Sequence, residues 1–163
     1  MKEIELTNKS EVRSFPLSFN SDTNTVDVII STGERVLRTG FKPYFEELEI
    51  SEKSIDMTRL KNGAPVLDSH RYDSIRDVIG VVENSYIRGK EAVATIRFSQ
   101  RDGVKDIVED VRNGIIKSVS IGYRINKAEK VDEVDDIPVY RATDFTIYEV
   151  SLVRNPSRFT FAN

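Results

Sequence analysis

The segment Ile115–Ile125 alternates between apolar and small or polar residues, and this pattern constrains the fold more than any other feature of the chain. Apolar side chains recur at Val119, Ile121, Tyr123 and Ile125, whereas the positions between them are Ser118, Ser120, Gly122 and Arg124. Successive side chains of a strand point to opposite sides of a sheet, so one side of this segment is expected to be buried. The segment therefore predicts a β-strand whose other face displays two serine hydroxyls.

Strand patterns recur along most of the chain. β-Branched or alternating apolar residues predict strands at Val26–Ile30, Val66–Leu67, Val78–Val82, Glu91–Phe98, Val139–Ala142 and Phe145–Val153. One helix is predicted at Val104–Arg112, where apolar residues follow the i, i+3, i+4, i+7 spacing and Gly114 marks the end. Together these elements predict a mainly β fold with some α structure, a closed or nearly closed antiparallel β-barrel with a few helices packed outside it.

Four segments are less regular. Pro43–Ile50 and Ser54–Leu60 are interpreted as short helices, with Ser54 as the N-cap of the second. Asn84–Lys90 is expected to form a turn with extra residues before the next strand. The acidic segment Ala128–Asp136 is expected to be a mobile loop.

Length and charge limit the possible partners. With 163 residues the chain is expected to form one domain, residues 1–163, in which 1–25 are a partly peripheral N-terminal segment. The net charge is −3 and the basic residues are scattered, so nucleic acid is not an expected partner. No apolar run approaches the roughly 18 residues that a membrane span needs, so a membrane is not an expected partner either.

The chain has no cysteine and one histidine, which limits its possible chemistry. Disulfides and thiolate metal sites are excluded, and we predict neither a metal nor a cofactor. A serine nucleophile needs a base, so any Ser-His mechanism here must use His70. Glu149 lies among apolar residues, where a carboxylate costs free energy unless it is paired. Structural roles stay open: the serines can simply pack, His70 can cap a turn, and Glu149 can pair with an arginine.

Four motifs in a fixed order add a family resemblance. They are NGAPVLDSH at 62–70, VIGVVE at 78–83, GIIKSVSIGYR at 114–124 and YEVSLV at 148–153. In this order they resemble the prohead proteases of tailed bacteriophages, capsid maturation serine proteases that are related in fold to the herpesvirus assemblins. The resemblance covers roughly residues 26–158 and implies an assemblin-like barrel.

The resemblance also implies roles for individual residues. His70 corresponds to the family's histidine and would be the general base, and Ser120 corresponds to its nucleophile. Glu149 matches the acidic residue of the last strand and would orient His70. Ser118 stands where many members have glycine, so it is interpreted as a bystander on the same strand face.

Three further residues are alternatives or helpers in this interpretation. Asp144 is the second candidate for the acidic member, and Asp68 is a third carboxylate, close to His70 in sequence. Arg154, just past the last strand, is a candidate for stabilising an oxyanion, with a charged rim residue as the alternative.

The function implied by the resemblance is a serine endopeptidase that cleaves scaffold and capsid-protein segments, and itself, during prohead maturation. Such an enzyme would act in the host cytoplasm, inside the assembling procapsid, with polypeptide substrates and as a homo-oligomer. Two other functions are weighed against it. One is a catalytically inactive, scaffold-like assembly domain of the same fold, and the other is a generic β-barrel binding module.

Overall fold

The computed structural model describes residues 3–6 and 19–154, with side chains described for residues 19–154. Within these residues the strands are β1 Glu3–Leu6, β2 Thr25–Ser31, β3 Val36–Arg38, β4 Tyr44–Leu48, β5 Ile55–Asp56, β6 Pro65–Asp68, β7 Val78–Arg88, β8 Glu91–Phe98, β9 Ser118–Val134 and β10 Ile137–Val153. The helices are α1 Thr58–Lys61, α2 Asp102–Arg112 and one 3-10 turn, Ile75–Asp77. No helix in this described part is long and apolar enough to cross a membrane.

The strands form one open sheet, so the predicted closed or nearly closed antiparallel β-barrel is wrong. The strand order is β1-β9-β10-β6-β7-β8-β2, with β3, β4 and β5 attached beside this path. Closure would require the end strands to pair with each other. Within the described residues, however, β1 pairs with β9 and β2 pairs with β8. The mainly β composition with helices is as predicted, but the architecture is a mixed open sheet.

Strand β10 makes the sheet mixed and joins its two parts. On one side it pairs antiparallel with β9 along its whole length. On the other side it pairs in turn with β4, β5 and β6, each time in parallel. Parallel partners are joined by crossover connections rather than by tight hairpins, so they are not neighbours in the sequence. Alternation along a single strand therefore does not reveal which strand is its parallel partner. The two separate strands predicted at 139–142 and 145–153 are parts of this one strand, which is irregular near Asp144.

Helix α2 confirms the predicted helix and begins two residues earlier than expected. Val104, Val108 and Val111 are buried in the core, and Ile107 packs partly buried against it. This is the face that the i, i+3, i+4, i+7 spacing predicted.

Gly114 ends α2 and directs the chain toward β9. Its φ is +73°, a left-handed conformation that glycine adopts at little cost. The N–H of Ile115 donates to the Asp110 carbonyl at 2.8 Å, and the N–H of Gly114 donates to the Val111 carbonyl at 3.1 Å. These two bonds define a Schellman motif. The predicted helix end is confirmed, and β9 starts four residues later.

The two short predicted helices are wrong in whole or in part. Pro43–Ile50 contains strand β4, in which Glu46 and Leu48 both point into the interior. Because one of the two buried positions is a glutamate, the sequence of this strand does not show an alternation of apolar and polar residues. Near Ser54 only the single turn α1 is helical, and Ser54 donates to Glu49 rather than capping it.

Two segments predicted to be irregular lie largely in strands. The acidic segment 128–136 forms the end of β9 and the turn of the β9–β10 hairpin, whose turn residues Asp135 and Asp136 have φ of 50° and 64°. Aspartate tolerates this left-handed backbone, which a two-residue hairpin turn requires. Asn84–Arg88 continues β7 through a bulge, and the turn that follows is only Gly89–Lys90. The expectations of one domain and of a peripheral segment 1–25 stay predictions, since residues 7–18 lie outside the described part.

A buried polar cluster lies on the core side of β9. Arg38 Nη2 donates to the Tyr123 hydroxyl at 2.9 Å and to Glu46 Oε1 at 3.3 Å, and that hydroxyl donates to the same Glu46 oxygen. The Arg38 and Glu46 side chains are only 7% and 2% exposed. Burial, followed by the adjacent carboxylate, raises the pKa of Tyr123 well above its usual value, so the phenol stays protonated and can donate. The cluster ties the β3–β4 hairpin to β9.

We expect Glu46→Ala to lower the free energy of unfolding by about 3–5 kcal/mol, because it removes the carboxylate from a buried ionic cluster. Glu83→Ala is the matched control: Glu83 also lies in a strand, but its ion pair with Arg97 is 40% and 52% exposed. That change should cost less than about 1 kcal/mol. Urea unfolding of both variants measures the difference. Equal losses would mean that the buried cluster contributes nothing beyond a surface pair.

Candidate active site

Strand β9 presents Ser118 and Ser120 on the face opposite the polar cluster. Both serines are nearly inaccessible to solvent, at 4% and 1% exposure. The strand that the alternation predicted as half-buried is therefore covered on both faces over Ser118–Tyr123. On this face the imidazole of His70, from the turn after β6, contacts Ser120.

The turn after β6 holds His70 in an unusual backbone conformation. Ser69 and His70 have φ of 54° and 59°, and the N–H of Arg71 donates to the Asp68 carbonyl at 3.0 Å. Positive φ at both central residues is the pattern of a type I′ turn. For residues other than glycine this conformation costs about 1–2 kcal/mol each, so surrounding contacts must compensate for it. The turn directs the imidazole, whose side chain is 9% exposed, over β9.

The imidazole of His70 joins Ser120 and Glu149 in one line of hydrogen bonds. Its Nε2 lies 2.8 Å from Ser120 Oγ, and its Nδ1 contacts Glu149 Oε1. With the ring proton on Nδ1, that nitrogen donates to the carboxylate and Nε2 is left to accept the serine proton. Because Glu149 is 1% exposed and Ser120 is equally buried, these bonds lie in a low-dielectric surrounding that strengthens them.

Glu149 occupies its buried position because the facing residue on β9 is Gly122. The two residues are register partners, next to an irregularity in the β9–β10 ladder after Ile147. A Cβ at Gly122 would lie 2.8 Å from Glu149 Cγ and would collide with Oε1. The absence of a side chain at 122 therefore makes room for the carboxylate beside His70.

The other residues that sequence analysis considered lie elsewhere. Asp144 accepts from Asn126 Nδ2 at 3.2 Å and, five residues before Glu149, is about 16 Å away along the strand. Asp68 accepts from the Ser69 hydroxyl at 2.9 Å. Ser118 is two residues, about 7 Å, from Ser120 along β9. Arg154 is exposed just past the end of β10. Glu149, the first of the three carboxylates considered, contacts Nδ1 of the imidazole.

Sequence analysis missed Ser151 and Tyr72. The Ser151 hydroxyl donates to Glu149 Oε2 at 2.7 Å and accepts from the His70 N–H at 3.1 Å. The Tyr72 hydroxyl lies 3.5 Å from Glu149 Oε1, at the limit of a hydrogen bond. One signal was available for Ser151, because residues i and i+2 of a strand share a face and it follows Glu149 by two. Tyr72 offered no comparable pattern.

Within residues 19–154, no three His, Asp or Glu side chains are grouped in a way that could hold a metal ion. The site itself contains a hydroxyl, an imidazole and a carboxylate in hydrogen-bonded series. This is the arrangement that activates a serine for nucleophilic attack in hydrolases of unrelated fold.

Comparison with known proteins places the chain in a family. The sequence profile described as "Caudovirus prohead serine protease" matches residues 2–160. The chain belongs to this family. The resemblance inferred from the four motifs is thereby confirmed, and its estimated extent, 26–158, lies inside the matched range.

Two individual proteins are similar to this family member. The major capsid protein of Halomonas phage phiHAP-1 is 32% identical over 109 residues, which make up 66% of this chain but only 18% of that protein. The match thus spans less than a fifth of the capsid protein's length. The bacteriophage T4 capsid assembly protease, gp21, aligns over 81% of this chain and 99% of its own, with a TM-score of 0.46 and 12% identity.

Proposed function

We propose that this chain is a serine endopeptidase of prohead maturation, with Ser120 as nucleophile, His70 as general base and Glu149 as the residue that orients the base. The observation that carries the proposal is the 2.8 Å contact between Ser120 Oγ and His70 Nε2, with Glu149 on the other ring nitrogen. Membership of a serine protease family over residues 2–160 supports the same assignment.

The proposed mechanism uses these three groups in order. His70 Nε2 takes the proton of Ser120 as Oγ attacks the scissile carbonyl carbon, and Glu149 stabilises the imidazolium that forms. The imidazolium then gives its proton to the leaving amine, and the peptide bond breaks to an acyl-enzyme. Water, activated by the same histidine, hydrolyses the ester. Backbone N–H groups are expected to hold the oxyanion, and the role considered for Arg154 stays a prediction.

The proposed substrates are segments of scaffold and capsid proteins, including the protease chain itself. The similarity of this chain to part of a phage major capsid protein supports a capsid protein as its partner. The proposed place of action is the interior of the assembling procapsid in the host cytoplasm. A homo-oligomeric state remains an expectation. The hydrogen-bonded series of Ser120, His70 and Glu149 favours the protease over the competing functions, an inactive assembly domain and a binding module.

Reaction with a fluorophosphonate probe tests the proposal directly. We expect the probe to modify one residue, Ser120, since an activated serine is needed to displace its leaving group. Peptide mapping by mass spectrometry identifies the labelled residue, and His70→Ala is the control that should abolish labelling. A folded protein that reacts at no serine, and cleaves no capsid or scaffold polypeptide, would support the inactive assembly domain instead.

We expect Gly122→Ala to lower kcat/KM by about 10²-fold, because its Cβ would push the Glu149 carboxylate away from His70 by an ångström or so. Gly103→Ala is the matched control, since a Cβ at that position meets no atom within 4 Å. It should leave activity unchanged and should slightly stabilise α2, which contains it. Steady-state rates on a cleavable peptide measure both. Full activity in Gly122→Ala would show that the Glu149 position is not required.

A further inference from the structure

Ser151 contacts two parts of the proposed active site with one hydroxyl group. Its Oγ donates to Glu149 Oε2 at 2.7 Å and accepts from the backbone N–H of His70 at 3.1 Å. The residue is 0% exposed, so water does not compete for either bond. Ser151 is also the register partner of Ser120 across the β9–β10 ladder, which places the two serines side by side in the sheet.

We propose that Ser151 is a positioning residue of this active site, which fixes the Glu149 carboxylate and the His70 turn relative to each other. The inference rests on the proposed function, because it assigns Ser151 a role in the same Ser120–His70–Glu149 reaction. Ser151 acts through these neighbours and does not itself touch the reacting atoms.

Ser151 fixes the orientation of the Glu149 carboxylate. A glutamate side chain has three rotatable bonds, and its two oxygens are chemically equivalent. The hydrogen bond from Ser151 engages Oε2, so Oε1 is the oxygen that faces Nδ1 of His70. The bond to Oε1 in turn decides which ring nitrogen carries the proton, and this leaves Nε2 free to act as the base.

Ser151 also holds the turn that contains His70. His70 has a φ of 59°, a conformation that costs free energy for a residue with a Cβ. Parallel pairing brings Asp68 beside Leu152, and the Ser69 N–H donates to the Leu152 carbonyl at 2.9 Å. The next N–H along the chain, that of His70, has the Ser151 hydroxyl as its acceptor. A side chain of β10 therefore continues the ladder into the turn and holds His70 over β9.

A purely structural role for Ser151 makes a different prediction. Ser85 is a matched case: it is a buried serine of β7, 3% exposed, whose hydroxyl donates to Met57 Sδ at 3.8 Å. If buried serines in this sheet only satisfy local packing, alanine at 85 and at 151 should have the same small effects. If Ser151 positions Glu149 and His70, only the change at 151 should alter kcat and the tautomer of His70.

The test compares Ser151→Ala with Ser85→Ala in the full chain, by kinetics and by NMR. In Ser151→Ala we expect kcat to fall about 10- to 100-fold with KM changed less than about twofold, the loss expected from a buried hydrogen bond. Ser85→Ala should keep both constants. A kcat within about twofold of the parent in folded Ser151→Ala would overturn the inference.

NMR tests whether Ser151 positions His70 by a measurement that does not depend on catalysis. Because the chain has one histidine, imidazole ¹⁵N spectra contain signals from His70 alone. We expect the parent and Ser85→Ala to populate the Nδ1–H tautomer, and Ser151→Ala to show a growing share of the Nε2–H tautomer. Unchanged tautomer populations in Ser151→Ala would contradict a positioning role, even if activity fell.

These readouts separate the two proposals. If Ser120→Ala remained active, the proposed function would fail while the tautomer shift could still appear. If the parent were active and labelled at Ser120 but Ser151→Ala behaved like the parent, only the positioning role would fail.

Should Ser151→Ala not fold, Ser151→Cys takes its place, since a thiol fills the space but hydrogen-bonds weakly. The same loss of kcat and tautomer shift are then expected, and their absence overturns the inference.

Discussion

Ser120→Ala is expected to lower kcat by about 10⁴- to 10⁶-fold while the protein stays folded, because the reaction then lacks its proposed nucleophile. The change removes one hydroxyl that hydrogen-bonds to His70 Nε2 and adds no bulk. Its cost in stability should be about 1 kcal/mol, the usual net contribution of one hydrogen bond. Cleavage of a capsid or scaffold polypeptide, followed by gel and mass spectrometry, measures the loss, and circular dichroism checks the fold.

Ser118→Ala is the matched control for this prediction. Ser118 lies on the same strand and the same face, is similarly buried at 4% exposure, and precedes Ser120 by about 7 Å along β9. Its alanine variant should retain activity within a few-fold of the parent. If Ser118→Ala were inactive and Ser120→Ala active, the assignment of the nucleophile would be reversed.

Glu149→Gln is expected to lower kcat by about 10³- to 10⁴-fold, less than Ser120→Ala, because the orienting acid is the most dispensable of the three groups. The substitution keeps the shape of a side chain that is 1% exposed and removes its charge. Without the carboxylate the imidazolium loses its stabilising partner, and the glutamine amide can bond Nδ1 in the wrong tautomer.

The pH dependence provides a second measurement on the same variant. In the proposed mechanism neutral His70 is the base, so the rate should rise as the imidazole loses its proton. A nearby carboxylate favours the protonated ring, so its removal in Glu149→Gln should move the midpoint of this rise to lower pH. The ¹⁵N titration of the single histidine should move in the same direction. A midpoint unchanged by the substitution would mean that Glu149 is not electrostatically coupled to His70.

Asp144→Asn and Asp68→Asn are the controls for the acidic member. The Asp144 and Asp68 carboxylates bond to Asn126 and Ser69 respectively, so both variants should keep most of the activity. If Glu149→Gln were fully active and either control inactive, the third member would be misassigned. If all three variants were active, the enzyme would work with Ser120 and His70 alone.

The local features of this site could be predicted from the sequence because they depend on short-range patterns. Alternation along 115–125 placed Ser118 and Ser120 together on one strand face, and β9 contains both. A single histidine left no choice of base. The family motifs ranked Glu149 above Asp144 and Asp68, and the structure brings Glu149 to the imidazole. Its catalytic role still awaits the variants described above.

Tertiary structure decided what depends on contacts between distant segments. Alternation shows which side of a strand is buried but not which strand lies beside it. The parallel pairs of β10 and the open sheet therefore could not be predicted from the sequence. Glu46 was misleading for the same reason, because the arginine and tyrosine that stabilise it come from other strands. The left-handed turn at His70, the space left by Gly122 and the two bonds of Ser151 likewise exist only where β6, β9 and β10 meet. A pattern along the sequence indicates which residues are buried. The pairing of segments in three dimensions decides which partners stabilise a buried charge or a strained turn.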